Sequence, residues 1–189
     1  MNKQAIRQEY RAKRQALTEP DLLKLDDLLL ISFQGVELPF ISTLLAYWPI
    51  DENKEPNLHP VVDYLRFRNP ELQVCYPVTD FENGSMTAIA TDGDTPFTKK
   101  KYNLYEPEAG EPLPAENLDM VLVPLLAVDE EGYRVGYGKG FYDRYLRNCR
   151  PECIKAGFSY FEPVSKISDR HEFDVPLDIC ITPNNVYVF

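Results

Sequence analysis

The chain is 189 residues long, 44% hydrophobic and 26% charged, with a formal net charge of −10; it is long enough for one core-forming domain and too apolar for a disordered chain. An acidic surplus of that size argues against binding nucleic acid or an anionic membrane, both of which require a positive field. Four scattered cysteines beside two histidines speak against a zinc site and for free thiols in a reducing, cytoplasmic setting, and no apolar stretch suggests a signal peptide or a membrane span.

Residues Lys3–Leu17 (KQAIRQEYRAKRQAL) have helical periodicity. Ile6, Tyr10 and Leu17 share one face, and Lys3, Arg7, Arg11 and Arg14 share another. Like charges at that spacing repel, so the basic stripe is either solvated or compensated by something anionic. Thr18 and Pro20 suit the cap and first turn of a second helix, in which Leu22–Phe33 reads as buried. Ser42–Trp48 reads as a strand stopped by Pro49. The polar segment Pro49–Pro60 then lies at a strand's C-terminal end, where open α/β sheets bind ligands. Leu58–Arg68 is a helix, with His59 structural. Leu72–Pro77 and Met86–Thr91 are strands joined by a hairpin that is tightest at Asn83-Gly84. Asp92–Thr98 is a turn and Lys99–Lys101 a solvated basic loop. Tyr102–Pro114, rich in proline, is an irregular connection.

Met120–Val123 is an apolar run stopped by Pro124, the pattern of a buried strand. An acidic turn (Asp129–Gly132), a glycine loop (Gly136-Tyr137-Gly138-Lys139-Gly140) and a helix from Phe141 to about Arg147 follow. That order suits an anion. Glycine lets backbone approach a ligand, a helix start presents free N–H groups, and Arg134 and Lys139 add cationic donors. Asp143, in the first helical turn, is stabilised by the dipole and is also able to hold a divalent cation against a phosphate. The spacing fits neither the Walker A loop nor the dinucleotide fingerprint. The residues alone leave open a phosphate cradle or a merely flexible loop. Cys153–Phe158 and Ile179–Thr182 read as further strands, and Val186–Phe189 as an edge strand. The order of elements predicts an α/β fold: three-layer, Rossmann-like, with a mostly parallel central sheet and an antiparallel addition, in one domain spanning 1–189.

The run Pro124…Asp129…Gly132-Tyr133-Arg134-Val135-Gly136-Tyr137-Gly138-Lys139-Gly140-Phe141-Tyr142-Asp143 resembles the signature of the 5-formyltetrahydrofolate cyclo-ligase (5,10-methenyltetrahydrofolate synthetase) family. That signature reads, roughly, proline, small residues, Phe-Asp, a glycine turn, then Arg-Leu-Gly-x-Gly-Lys/Gly-Gly-Tyr-Tyr-Asp. Val128, Val135 and Phe141 depart from it, and none of these removes a charge or a glycine. Lys3-Gln-Ala-Ile-Arg7 is similar to the family's Lys-x-x-x-Arg helix, which contacts ATP. The run His171…Asp174…Pro176…Asp178…Thr182 is similar to the family's C-terminal pattern.

The resemblance implies an ATP- and Mg²⁺-dependent enzyme that cyclises 5-formyltetrahydrofolate, with or without a polyglutamate tail, to 5,10-methenyltetrahydrofolate with release of ADP and phosphate. It implies ATP contacts from Lys3, Arg7, Arg134, Gly136, Gly138, Lys139, Gly140, Phe141 and Tyr142, with Arg11 and Arg14 as further candidates. Arg134 and Lys139 would act on the transferring phosphoryl group. Asp143 and Asp178 would hold the metal, although Asp178 on its own reads as a turn residue. Glu55 would contact the pterin, with Glu52 as the rival alignment. Trp48 and Tyr137 would line the folate, with core packing the alternative for Trp48. A cytoplasmic monomer is the expectation. A non-catalytic nucleotide- or folate-binding module is the competing reading, and a sugar-phosphate isomerase a third; ATP consumption that depends on the folate separates the first from both.

Overall fold

The computed structural model describes residues 1–189. Side-chain caps start its first two helices, α1 (Lys3–Ala16) and α2 (Glu19–Gln34). The Asn2 side chain accepts from the Ala5 amide, and Thr18 and Asp21 form a reciprocal capping box with Pro20 in the first turn. There follow β1 (Thr43–Leu45), α3 (His59–Arg68), the long hairpin of β2 (Gln73–Asp80) and β3 (Ser85–Thr91), and the short strands β4 (Phe97–Lys99), β5 (Tyr105–Pro107) and β6 (Pro112–Leu113). β7 (Met120–Val123) leads to the small hairpin β8 (Ala127–Val128) and β9 (Arg134–Val135), then α4 (Phe141–Leu146), β10 (Ile154–Phe158), β11 (Ile179–Ile181) and β12 (Val186–Val188).

Eight strands form one sheet in the order β12-β11-β10-β7-β1-β2-β3-β6. The five inner strands, β11 to β2 in that order, are parallel, and antiparallel strands close both edges. Parallel strands need cover on both faces, and the burial alternates accordingly. Leu44, Met120 and Leu122 face one side with Leu29, Phe33, Val61 and Leu65 of α2 and α3. Leu45, Val121 and Val123 face the other with Tyr145 and Leu146 of α4. The predicted three-layer α/β architecture is the observed one. No helix is long and apolar enough to cross a membrane.

Three local expectations are corrected. The Leu22–Phe33 run is not buried throughout: Leu23 and Ile31 are 69% and 62% exposed, because a helix lying on a sheet buries only one stripe. The connection Tyr102–Pro114 is more regular than its prolines suggest. β5 pairs with β4 as a ribbon, and β6 adds to the sheet through β3. Phe97 and Thr98, expected in a turn, belong to that ribbon. Proline is tolerated there because these are short edge strands.

α1 sits apart from the two main layers. Ile6 and Tyr10 pack on Leu126, Ala127, Val135 and Ile167 around the β8–β9 hairpin. This lays the helix across the C-terminal end of the parallel strands.

Candidate functional site

In the sheet, β2 lies on one side of β1 and β7 on the other, so the strand order reverses between β1 and β7. The segments leaving these two strands splay apart, and open α/β folds bind ligands in that crevice. Here it holds a cavity of about 710 Å³. Tyr47 and Trp48 line it after β1, Pro77 and Thr79 at the end of β2, and Pro124 after β7. The glycine loop, α1 and the β4–β5 ribbon complete its walls.

One wall is cationic. Lys3, Arg7 and Arg11 of α1 reach the cavity beside Gly136, Gly138, Lys139 and Gly140. Arg7 Nε donates to the Gly136 carbonyl (2.9 Å), which fastens helix to loop. Gly138 and Gly140 have φ of +95° and +69°. A Cβ at Gly138 would lie 3.4 Å from the Arg7 guanidinium carbon, and one at Gly140 2.9 Å from Arg144. Both positions therefore favour glycine on backbone grounds, since the neighbouring atoms are ends of flexible arginine side chains. Arg144 binds the Gly84 carbonyl (2.7 Å) and the Lys139 carbonyl (2.9 Å), joining the loop to the β2–β3 turn. Its role gives no signal in sequence. Lys139 itself is exposed, has no carboxylate partner, and holds its Nζ 5.5 Å above the Tyr102 ring.

Behind the loop, Arg134 is buried. One terminal nitrogen donates to Asp143 Oδ1 (2.9 Å) and the other to the Val175 carbonyl. Burial lowers the Arg134 pKa, opposed by Asp143. The Val175 amide also donates to Asp143 Oδ1 (3.1 Å). Asp143 Oδ2 has no partner. Asp174 also lines the cavity and takes Lys3 Nζ at 2.5 Å. Burial would raise its carboxyl, but Lys3 and the His171 amide outweigh this and hold it below the usual range. Two carboxylates, each with one oxygen unengaged, thus flank the loop. These are hard donors of the kind Mg²⁺ takes alongside phosphate oxygens.

Another wall is aromatic, and a buried acid joins it to the glycine loop. Trp48 packs on Phe97 (centroids 4.8 Å apart) and Tyr105 (5.5 Å). Glu55 is buried, with Oε2 accepting from the Ile50 amide (2.8 Å) and Oε1 accepting from the Tyr137 hydroxyl. Burial raises its pKa against these hydrogen bonds and the Arg14 charge. Arg14 Nη1 donates to the Tyr137 oxygen (3.1 Å). Burial also raises the Tyr137 and Tyr142 pKa values, and both remain neutral phenols. The Tyr142 hydroxyl is buried with no partner on a side chain that lines the cavity.

Most of the expected residues converge. Lys3, Arg7, Arg11, Trp48, Glu55, Arg134, Gly136, Tyr137, Gly138, Lys139, Gly140, Phe141, Tyr142 and Asp143 all line this one cavity. Glu55 rather than Glu52 is inside: Glu52 is exposed and paired with Lys99 at 2.5 Å. Two candidates are corrected. Arg14 is 1% exposed and spends its nitrogens on Tyr137 and the Leu125 carbonyl, outside the lining. Asp178 does not line the cavity and is not brought to it with Asp143. Its carboxylate takes the Lys155 amide (2.7 Å) and ammonium (2.8 Å) beside β10. Asp174, four residues earlier, is the acid that reaches the cavity. Glu106, Thr79 and Tyr102 line it without having been expected; Thr79 lies at the end of β2, and Asn103-Leu104-Tyr105-Glu106-Pro107 resembles the family's proline-containing stretch only loosely.

Known proteins share this chain's sequence pattern and fold. The family model described as "5-formyltetrahydrofolate cyclo-ligase family" matches residues 1–183. A 5-formyltetrahydrofolate cyclo-ligase of Mycoplasma pneumoniae is 28% identical over 185 residues, covering 96% of this chain and 98% of its own. The solution structure of an Aquifex aeolicus 5,10-methenyltetrahydrofolate synthetase superposes with a TM-score of 0.81 at 26% identity, over 100% of this chain and 93% of that one. The structure of the Mycoplasma pneumoniae 5,10-methenyltetrahydrofolate synthetase gives 0.75 at 25% identity, over 96% and 98%. Glycine loop, N-terminal basic helix and match along nearly the whole length lead to one conclusion: the chain belongs to the 5-formyltetrahydrofolate cyclo-ligase family.

Proposed function

We propose that this chain converts 5-formyltetrahydrofolate to 5,10-methenyltetrahydrofolate by using ATP to phosphorylate the formyl oxygen. A formamide oxygen is a poor leaving group. Transfer of the γ-phosphoryl group to it expels ADP and activates the formyl carbon. The folate N10 then closes the ring and inorganic phosphate departs. Phosphoryl transfer asks for positioning and charge neutralisation more than for covalent participation.

The observation that carries this reading is the division of one cavity into a cationic wall and an aromatic wall. Lys139, alone among the loop's cations in lacking a partner, is free to follow the transferring phosphoryl group. Lys3 and Arg7 hold the polyphosphate with the loop amides, and Arg134, fixed between Asp143 and Val175, keeps the loop in shape. Asp143 would hold Mg²⁺ through its unengaged oxygen, with Asp174 as the second carboxylate at that end; the ion, when bound, neutralises phosphate charge. Glu55 orients the pterin from its buried position, and Trp48 and Tyr137 cover the ring. The sheet draws its strands from Thr43 to Val188, which supports reading residues 1–189 as one catalytic domain.

Lys139→Ala tests the reading, since the residue is exposed and its loss leaves the fold alone. We expect kcat to fall by about 10²–10³, the range for removing one preorganised charge-stabilising group, with an unchanged melting temperature. The methenyl product is followed by its near-ultraviolet absorbance and ADP by a coupled assay. Near-full activity would remove Lys139 from the chemistry. Binding of ATP and folate by the unaltered protein with no turnover would mark it as a binding module.

A further inference from the structure

Ring closure leaves two electrostatic demands that the cationic wall does not meet. N10 carries a hydrogen when it attacks the activated carbon, and that proton must go somewhere. The methenyl product is a delocalised cation spread over N5, the bridging carbon and N10. It forms in a cavity already lined by Lys3, Arg7, Arg11, Arg134 and Lys139.

Four carboxylates line the cavity: Glu55, Glu106, Asp143 and Asp174. Asp143 and Asp174 are each ion-paired, to Arg134 and Lys3. Both oxygens of Glu55 accept hydrogen bonds. Glu106 differs from all three. It is 7% exposed, it has no cationic partner, and its Oε1 is fixed by the Thr79 amide at 2.8 Å. Its Oε2 has no partner. A carboxylate so buried is ordinarily paired. Its place is also informative, because it follows Tyr105 on β5 and Tyr105 packs on Trp48. Glu106 lines the cavity from the same strand that supplies Tyr105, the ring that packs on Trp48.

We infer that Glu106 is a catalytic residue, the acceptor of the N10 proton and the counter-charge for the methenyl cation. The inference rests on the phosphorylation reading above. N10 attacks the formyl carbon of the phosphorylated substrate and becomes a tetrahedral ammonium. Its N–H proton passes to Glu106 Oε2. The carbon–oxygen bond then breaks, its electron pair leaving with inorganic phosphate, and the N5–C–N10 amidinium remains. The proton leaves to solvent as product departs. An arylammonium is acidic enough for a carboxylate to deprotonate it, and a carboxylate aimed at the developing cation lowers the barrier without reorganising.

Glu106→Gln keeps an acceptor for the Thr79 amide and removes the charge and basicity. We expect kcat for the methenyl product to fall by roughly 10² or more. The folate KM and the quenching of Trp48 fluorescence by 5-formyltetrahydrofolate should stay near the unaltered values. ADP release should outrun product formation, because activated substrate that cannot close is hydrolysed. Glu106→Asp, which keeps a carboxylate one methylene back, is expected to fall between the two. Unaltered kcat in Glu106→Gln would overturn the inference. So would a loss in which ADP and product fall together and quenching disappears, since that marks a binding or structural group. If the unaltered protein forms product without consuming ATP, the phosphorylation reading itself falls; if it consumes ATP and Glu106→Gln is fully active, only the inference does.

Discussion

Glu52 and Glu55 stand three residues apart, and the intervening turn of chain decides which one is solvated. Asp51–Asn53 form a single 3₁₀ turn. Lys54, with φ of +47°, then donates to the Gln15 and Leu17 carbonyls (2.8 and 2.6 Å) at the end of α1. This docking throws Glu55 inward and leaves Glu52 outside with Lys99. Composition cannot show that choice, because both residues are glutamates in one polar loop. The interior position has a measurable consequence. The Glu55 pKa is raised by burial above the unfolded value of about 4.3, so the native state holds the proton more tightly. The stabilisation associated with that proton is fully present below about pH 4 and is lost as pH rises through the folded value. Glu55→Gln has no such titration. Its stability relative to the unaltered protein should therefore rise as pH climbs above about 4, measured by urea denaturation at fixed ionic strength. A pH-independent difference would show that the buried carboxylate ionises without penalty. Arg7 and Arg14 teach a similar lesson: their spacing places both on one stripe of α1, yet Arg7 borders the cavity and Arg14 is sealed beneath the β7 exit. Periodicity identifies a face but not where along its length a neighbour covers it.

At the scale of elements, segments marked by a hydrophobic period, an apolar run or a cap are legible, and the proline-rich stretch between β3 and β7 is not. α1, α3, β7 and the β2–β3 hairpin lie where hydrophobic spacing, caps and Asn83-Gly84 place them. The hairpin's tight point is held by the Asp80 carboxylate, which accepts from the Glu82 amide (2.9 Å), the Asn83 amide (3.1 Å) and the Asn83 side chain (2.6 Å). β4, β5 and β6 are two or three residues long, and no apolar run marks them among the lysines, glutamates and prolines of residues 97–113. They nonetheless supply Tyr105 and Glu106, so the least legible part of the chain builds the aromatic wall. β10 carries a different constraint at Gly157. A Cβ there would meet Leu125 Cδ2 and Leu177 Cδ1 at 2.5 Å each. Gly157→Ala should destabilise the protein by about 1–3 kcal/mol, the usual penalty of overpacking, seen as a lower urea midpoint. Because Leu125 follows Pro124 at the root of the loop, the measurement also asks whether the core bears on the site. An unshifted midpoint would mean that the two leucine ends give way freely.

The molecule as a whole assembles its site from distant parts of the chain. Residues 3–11, 47–55, 77–86, 102–106 and 134–143 meet at the strand-order reversal, with Asp174 arriving from near the C-terminus. The parallel sheet that creates this crevice followed from the alternation of apolar strands with helices. The path of α1 across its mouth did not, because a helix that packs on a small hairpin leaves no mark distinct from one that packs on a sheet. Arg14 ties these pieces together. It reaches from α1 to the Leu125 carbonyl after β7 and, through Tyr137, to Glu55 after β1. Arg14→Ala removes a buried charge from a hydrogen-bonded group that includes a carboxylate, a change that typically costs about 3–5 kcal/mol. We expect that loss in chemical denaturation, together with weaker folate binding, since Glu55 loses its support. Full stability would show that α1 is held by its apolar face alone.

The start of the chain has its own consequence for handling the protein. The Met1 carbonyl accepts from the Ser168 amide (3.0 Å), the Lys3 amide donates to Asp169 (2.7 Å), and Lys3 borders the cavity. An affinity tag fused ahead of Met1 would emerge near the cavity that Lys3 lines and would compete with the Ser168–Asp169 anchor. Phe189 instead follows the edge strand β12, where its amide donates to the Asp178 carbonyl (3.0 Å) and its ring packs on Gly132 of the β8–β9 turn. Purification handles, fluorophores and immobilisation linkers at that end leave the Ser168–Asp169 anchor untouched.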